Sequence, residues 1–430
     1  MTDAMELGES ARAETPAEGS WARFLRRRVL SQLRGLRHGA VRVEDVDGAE
    51  VFGRGEPEAT VKVTDARFYR ELALGGSLGA AEAYIRGYWS ADDLTTLLRI
   101  FARDIQAADA MERGIAKAAR QAARLVHRLR ANTRRGSERN VHAHYDLGND
   151  FFALFLDDTL TYSCGVFERP DSSLQEASVA KLDRICRKLA LRPEDRVLEI
   201  GAGWGSFALH AASNYGCHVT TTTISRKQHQ LASERVKAAG LDERIRVLLA
   251  DYRQLGGRFD KLVSIEMIEA VGHDFLDIYF RKCSDLLADD GMMALQAIVI
   301  HDQRYDQYRR SVDFIRRYVF PGGHLPSLGA ISGSIGRATD LRIVHVEDLT
   351  PHYAKTLRIW REHFLKNADA VLRLGYSAEF VRLWEYYLCY CEAGFRERYI
   401  GNLQILFAKA GFRGEATPLA PLPPAGELAS

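Results

Sequence analysis

The sequence predicts an α/β fold, a doubly wound sheet preceded by a small mixed α+β domain. Three observations carry that prediction. The run Val197-Leu198-Glu199-Ile200 is short and mostly apolar, as a buried strand is, and it meets Gly201-Ala202-Gly203-Trp204-Gly205-Ser206 before a helical stretch opens at Phe207. A strand, a glycine turn and a helix make the first unit of a doubly wound domain, with a ligand at the carboxyl end of the strand. Strand-like runs recur at Cys217 to Thr220, Ile245 to Leu249, Phe259 to Ile265 and Met292 to Ile300, separated by helical stretches. Residues 20–105 instead mix a basic helix, strands between glycines and a long helical stretch.

The glycines leave room for a ligand to lie against the backbone at Gly201 and Gly203. A lone glycine loop fits any tight turn, so the next strand decides. A dinucleotide site places a carboxylate about 20 residues after the glycines to hold the ribose hydroxyls. Here the chain reads Thr221-Thr222-Thr223-Ile224-Ser225-Arg226-Lys227-Gln228, and no acid appears until Glu234. That argues against NAD. The third strand ends at Asp251-Tyr252 and the fourth runs into Glu266-Met267-Ile268-Glu269. Polar residues at strand carboxyl ends match a class I S-adenosylmethionine (SAM) methyltransferase sheet better than a dehydrogenase.

Composition bounds the class. The chain has 430 residues, 46% apolar and 27% charged, with net charge +2, the profile of a soluble globular protein. Charge is uneven: residues 19–43 carry seven arginines and residues 113–137 carry seven arginines and Lys117, both without an acid. Cys164, Cys186, Cys217, Cys283, Cys389 and Cys391 form no CxxC pair; reduced thiols in a cytoplasm are the simplest reading. No metal-ligand set is expected, no run approaches the roughly 18 apolar residues of a membrane span, and the acidic N-terminus is not a signal peptide.

In order, residues 1–19 read as a disordered acidic tail. Residues 20–105 form the N-terminal, lipid- or membrane-associated domain. It opens on a basic helix from Trp21 with Phe24, Leu25, Val29, Leu33 and Leu36 on one side. Hairpins over Val41 to Val51 and Ala59 to Val63 follow, then a helical stretch from Phe68 to Phe101. Residues 106–140 read as a basic helical linker, equally a solvated face or a contact with an anionic membrane, where each Lys or Arg adds about 1 kcal/mol. Aromatics do not interleave with its basic residues, which argues against nucleic acid. Residues 141–415 form the catalytic domain, including a helix from Phe275 to Leu287 stopped by Asp289-Asp290-Gly291, and residues 416–430 a loose tail.

Tyr145-Asp146-Leu147-Gly148-Asn149-Asp150-Phe151-Phe152, Thr161-Tyr162-Ser163-Cys164, Glu199 to Gly205, Thr223-Ile224-Ser225 with Gln228, and Tyr318-Val319-Phe320-Pro321-Gly322-Gly323 with Leu325-Pro326-Ser327 closely resemble the cyclopropane-fatty-acyl-phospholipid synthase family. The resemblance spans about residues 70–410. It implies SAM-dependent transfer of a methylene group to a double bond in an unsaturated phospholipid acyl chain, forming a cyclopropane fatty acid. The alkene attacks the SAM methyl group, and a bound bicarbonate takes a proton from the resulting cation. It also implies a homodimer, cytoplasmic and peripheral at the inner membrane. Aromatic faces stabilise a cation; Tyr162, Phe167, Tyr318 and Phe320 are candidates, with core packing the alternative for each.

Carried over residue by residue, Gly201 and Gly203 match the SAM loop, and Tyr145, Tyr162 and Ser163 match residues that close over SAM. Thr223 and Gln228 stand in for the missing acid, and Asp251 and Tyr252 match the adenine-side pair. Cys164, Glu269, Ile298 and Tyr353 match the bicarbonate site. One position departs: the family pattern Leu-His-Thr-Ile reads Leu295-Gln296-Ala297-Ile298 here. Gln296 donates and accepts hydrogen bonds but cannot gain charge or shuttle a proton. Two outcomes stay open, a cyclopropane with a neutral amide in the bicarbonate site, or a methylene- or methyl-branched chain made with a reductase partner. Rival readings are a small-molecule N-methyltransferase and a lipid-binding protein without chemistry.

Overall fold

The computed structural model describes residues 20–104, 147–414, 419 and 421–428. The acidic tail, the basic linker and Tyr145 lie outside the described residues.

The N-terminal domain holds β1 (Gly39–Asp45), β2 (Gly48–Arg54), β3 (Glu58–Val63) and β4 (Trp89–Ala91) in the order β2-β1-β3-β4. The β1–β2 pair is the expected hairpin, but β3 lies parallel to β1 on its other edge, so the second expected hairpin does not form. The single helical stretch expected from Phe68 to Phe101 is two helices, Arg67–Ile85 and Leu94–Arg103, with β4 between them. Gly76 (φ 59°, ψ −139°) breaks the first, a conformation glycine adopts without steric cost, and Asp93 caps the second through the Thr96 N–H. The basic helix is Ser20–Leu33; it buries Leu25, Val29, Leu30 and Leu33, while Phe24 faces outward, unlike the sequence expectation.

The rest of the chain carries a seven-stranded sheet in the order β10-β11-β9-β8-β5-β6-β7. Its strands are β5 (Arg196–Ile200), β6 (His218–Thr223), β7 (Ile245–Leu249), β8 (Phe259–Ile265), β9 (Leu287–Ile300), β10 (Arg342–Asp348) and β11 (Ile400–Ala408). β5 to β9 pair in parallel, whereas β11 pairs antiparallel to both β9 and β10. The reversal of strand order on the two sides of β5 makes a switch point, where ligands bind beyond the strand carboxyl ends.

The helix before β9 ends at Leu286, and the strand starts at once. The expected stop at Asp289 to Gly291 is instead an irregularity inside β9: Phe259 pairs with Leu287 and Lys261 with Met292, so the intervening residues bulge out of register. The helix Leu174–Lys188 is held by a capping box between Ser173 and Glu176, which satisfies donors the helix start leaves unpaired. In the tail expected to be loose, Ala425–Leu428 is helical and Leu428 is buried against Phe167 and Ala177.

The two domains are bound by the helix Ala378–Arg396 and its end. Tyr84 donates to Glu385 at 2.8 Å, Arg382 donates to the Tyr84 carbonyl at 2.9 Å, and Arg99 pairs with Glu397 at 2.7 Å. One apolar cluster runs through both, from Val29 and Phe68 to Trp360 and Trp384.

Candidate active site

At the carboxyl end of β5 a cavity of about 190 Å³ is lined by Gly201, Gly203, Thr223, Gln228, Asp251 and Tyr252, with Tyr162 and Ser163 on its other wall. Gly201 and Gly203 hold left-handed backbone at φ 101° and 51°. A Cβ on Gly203 would project into open space, and one on Gly201 would lie 3.0 Å from Met267. Gly203 therefore leaves the elbow open, while Gly201 makes room for the Met267 side chain. Thr223 donates to Gln228 Oε1 at 2.9 Å, which leaves the NH2 group of Gln228 as its remaining donor group. Asp251 pairs with Arg253 at 2.6 Å, and burial pushes the Tyr252 phenol up.

Two buried ionisable groups in this wall were given no role of their own in the sequence reading. Lys181 donates to Ser163 at 2.8 Å, and burial lowers its ammonium to about 8. Glu199 accepts from Thr221 at 2.6 Å, and burial pushes its carboxyl up to about 8.

A second cavity of about 720 Å³ lies between the domains, within the roughly 300–1,000 Å³ typical of ligand pockets. Val29, Leu33, Val43, Phe68 and Leu72 line it from the N-terminal domain, and Ile298, Phe320, Leu357 and Phe395 from the catalytic domain. The two cavities meet: Tyr162, Glu266 and Ala270 line both. Of the aromatic candidates, Tyr162 and Phe320 face the large cavity. Phe167 is instead packed under Lys355 and stacked with His352, and the Tyr318 hydroxyl is tied to Glu82.

At the meeting point Cys164, Gln296 and Tyr353 gather on Glu266, to which the sequence reading had given no role. Glu266 Oε1 accepts from the Cys164 N–H at 3.0 Å, Gln296 Nε2 at 2.8 Å and Asn402 Nδ2 at 2.7 Å; Glu266 Oε2 accepts from the Tyr353 hydroxyl at 2.7 Å. Glu269 stands apart: its Oε1 accepts from the Ile298 N–H at 2.6 Å, and its Oε2 is buried without a partner. Burial, then the neighbouring Glu266 charge, pushes the Glu269 carboxyl up to about 8. Burial also raises the Cys164 thiol, whose Sγ lies 3.2 Å from the Gly165 carbonyl oxygen; it is no thiolate nucleophile.

The profile of the mycolic acid cyclopropane synthetase family matches residues 132–405. The chain belongs to this family. Among its relatives, the tuberculostearic acid methyltransferase UfaA1 of Mycobacterium tuberculosis is 38% identical over 360 residues, covering 80% of this chain and 81% of that one. The cyclopropane-fatty-acyl-phospholipid synthase of Escherichia coli K12 is 36% identical over 361 residues, covering 83% and 89%. Among solved structures, the mycolic acid cyclopropane synthase CmaA1 complexed with SAH and CTAB superposes with a TM-score of 0.60 at 36% identity, covering 63% of this chain and 98% of that one. The cyclopropane synthase MmaA2 from Mycobacterium tuberculosis gives 0.60 at 33%, with the same coverage. The sheet is thus the class I methyltransferase fold, the chain is a methyltransferase of the cyclopropane synthetase family, and SAM is its methyl donor.

Of the residues singled out in the sequence, Tyr162, Ser163, Gly201, Gly203, Thr223, Gln228, Asp251 and Tyr252 share the smaller cavity, and Cys164, Gln296 and Tyr353 converge on Glu266. Glu266 had one signal in the sequence, an acid at the end of the fourth strand. Asn402 had none, because only the pairing of β11 with β9 puts it opposite Ile298.

Proposed function

We propose that this protein transfers a methylene group from SAM to the double bond of an unsaturated acyl chain in a membrane phospholipid. The observation that carries the reading is the junction of a small polar cavity at the glycine elbow with a large apolar one at Tyr162, Glu266 and Ala270. SAM, when bound, supplies an electrophilic methyl group on a sulfonium. Gly201 and Gly203 would hold it against the backbone, with Thr223 and Gln228 toward its ribose and methionine side and Asp251 and Tyr252 toward its adenine. An alkene is a weak nucleophile, so reaction requires contact with the methyl group and exclusion of water. The predominantly apolar lining of the large cavity would keep water from a bound acyl chain, and Tyr162 offers an aromatic face at the junction to the cation that forms.

The N-terminal domain favours a lipid over a soluble amine. Val29 and Leu33 line the large cavity from the helix Ser20–Leu33, whose other side exposes Trp21, Phe24, Arg23, Arg27 and Arg28. Trp21 and Phe24 are 60% and 51% exposed and stacked on each other. Aromatics beside arginines on an amphipathic helix suit an anionic membrane interface, and this one borders the acyl cavity. No described helix is long and apolar enough to cross a membrane, so contact would be peripheral, at the inner membrane. The product stays between a cyclopropane and a methylene-branched chain, the latter needing a separate reductase to become methyl-branched.

The test is turnover of SAM on vesicles of a defined monounsaturated phospholipid, with mass spectrometry and proton NMR of the lipid. A gain of one methylene per chain is expected, with cyclopropane or exomethylene protons identifying the product. Turnover on soluble amines but not on vesicles would establish the N-methyltransferase reading instead.

A further inference from the structure

Resting on that reading, we infer that Glu266 is the base that removes the proton, its own carboxylate standing where the family resemblance places a bicarbonate. Three of the groups assigned to the anion, the Cys164 N–H, Gln296 and the Tyr353 hydroxyl, are all hydrogen-bonded to Glu266, and Asn402 adds a fourth donor. A separate bicarbonate would have to take these donors from a carboxylate and sit beside its charge. The residues present therefore do not fit the ion.

The orientation of this carboxylate is built in by a relay of side chains across the neighbouring strands β9 and β11. Lys188 is donor-only and gives a hydrogen bond to Gln404 Oε1 at 2.7 Å. That turns Gln404 Nε2 onto Gln296 Oε1 at 2.9 Å, and so turns Gln296 Nε2 onto Glu266. The departure at Gln296 thus has a physical reason: an amide with its acceptor already engaged presents N–H to an anion without carrying charge of its own. Oε1 of Glu266 accepts three hydrogen bonds and Oε2 one, so Oε2 keeps a lone pair for a proton. The backbone of Glu266 is left-handed at φ 47°, a conformation a non-glycine residue keeps only where its surroundings impose it.

The step balances. The C–S bond of the donor breaks as the new C–C bond forms, leaving the other alkene carbon cationic. Glu266 accepts a proton from the transferred methyl group, and the released C–H pair closes the ring. If a hydride first shifts from the methyl-bearing carbon, the same pair forms an exocyclic double bond. In either case Glu266 later releases the proton to solvent.

Glu266→Gly and Glu266→Gln test the assignment, since glycine accepts the left-handed backbone and opens the space of an anion, whereas glutamine fills it. Wild-type turnover on vesicles should be the same, within about twofold, in bicarbonate-depleted and bicarbonate-containing buffer, while both variants lose about 100-fold or more, the contribution of a general base. Added bicarbonate should restore turnover to Glu266→Gly and raise its melting temperature, and should do neither for Glu266→Gln or the wild type. Wild-type dependence on bicarbonate, or full turnover of Glu266→Gly without it, would overturn the inference. Absence of turnover by the wild type on any lipid vesicle would sink the proposed function instead, and the thermal shift of Glu266→Gly would then report by itself whether the carboxylate occupies an anion site.

Discussion

Glu269→Gln isolates the consequence of burying a carboxyl with one oxygen unpartnered. Its folded value is about 8 against an ordinary 4.5, with burial the largest cause. The sign follows from proton counting. Below 4.5 the group is neutral in both folded and unfolded chains and costs nothing. Between 4.5 and 8 the unfolded chain ionises and the folded one does not, so stability falls as pH rises, by about 1.4 kcal/mol per pH unit. The whole window of 8 minus 4.5, or 3.5 units, corresponds to an upper bound of about 5 kcal/mol. Glutamine keeps the shape, can accept the Ile298 N–H, and never ionises. The assay is urea unfolding of wild type and variant from pH 5 to 9, read as the difference between the two so that other titrating groups cancel. The variant should gain on the wild type steadily up to about pH 8 and then hold level. Parallel stability curves would refute the reasoning and mean that Glu269 is charged in the fold.

Gly201→Ala should weaken SAM binding by about tenfold or more in calorimetry, because its left-handed backbone strains any L side chain by roughly 1–2 kcal/mol and the new Cβ would press on Met267 at 3.0 Å; unchanged affinity would mean the donor does not use the elbow. Gln404→Leu should cost about 1–3 kcal/mol by leaving partners of a buried amide unpaired. It should also lower turnover while leaving SAM affinity intact, since Gln404 acts by orienting Gln296; equal loss of both would mean a general distortion.

Much of this protein was legible in its residues. The mostly apolar run Val197 to Ile200 followed by glycines marks the strand at the switch point and its ligand-binding turn, because burial on both faces favours apolar side chains and a cradle demands positive φ. The missing acid after β6 excluded a dinucleotide because a ribose-binding carboxylate has a fixed place in chain order. Thr223, Gln228, Asp251 and Tyr252 were named through the family resemblance, and the fold brings them to one cavity beyond the carboxyl ends of β6 and β7. Where local pattern misled, a long-range pairing had overridden it. The parallel placement of β3, the bulge at Asp289 to Gly291 and the exposure of Phe24 all depend on partners distant in sequence.

Tertiary structure decided the chemistry at the centre. Cys164, Gln296, Tyr353 and Asn402 come from a loop, two strands and a helix spread over 239 positions from 164 to 402, and nothing in the order of residues says that all four hydrogen-bond one carboxylate. Glu266 and Glu269 are three positions apart and chemically identical in the sequence. The fold separates them by giving one four donors and leaving the other buried with an unpartnered oxygen, because the electrostatic state of a carboxyl is set by what surrounds it in space.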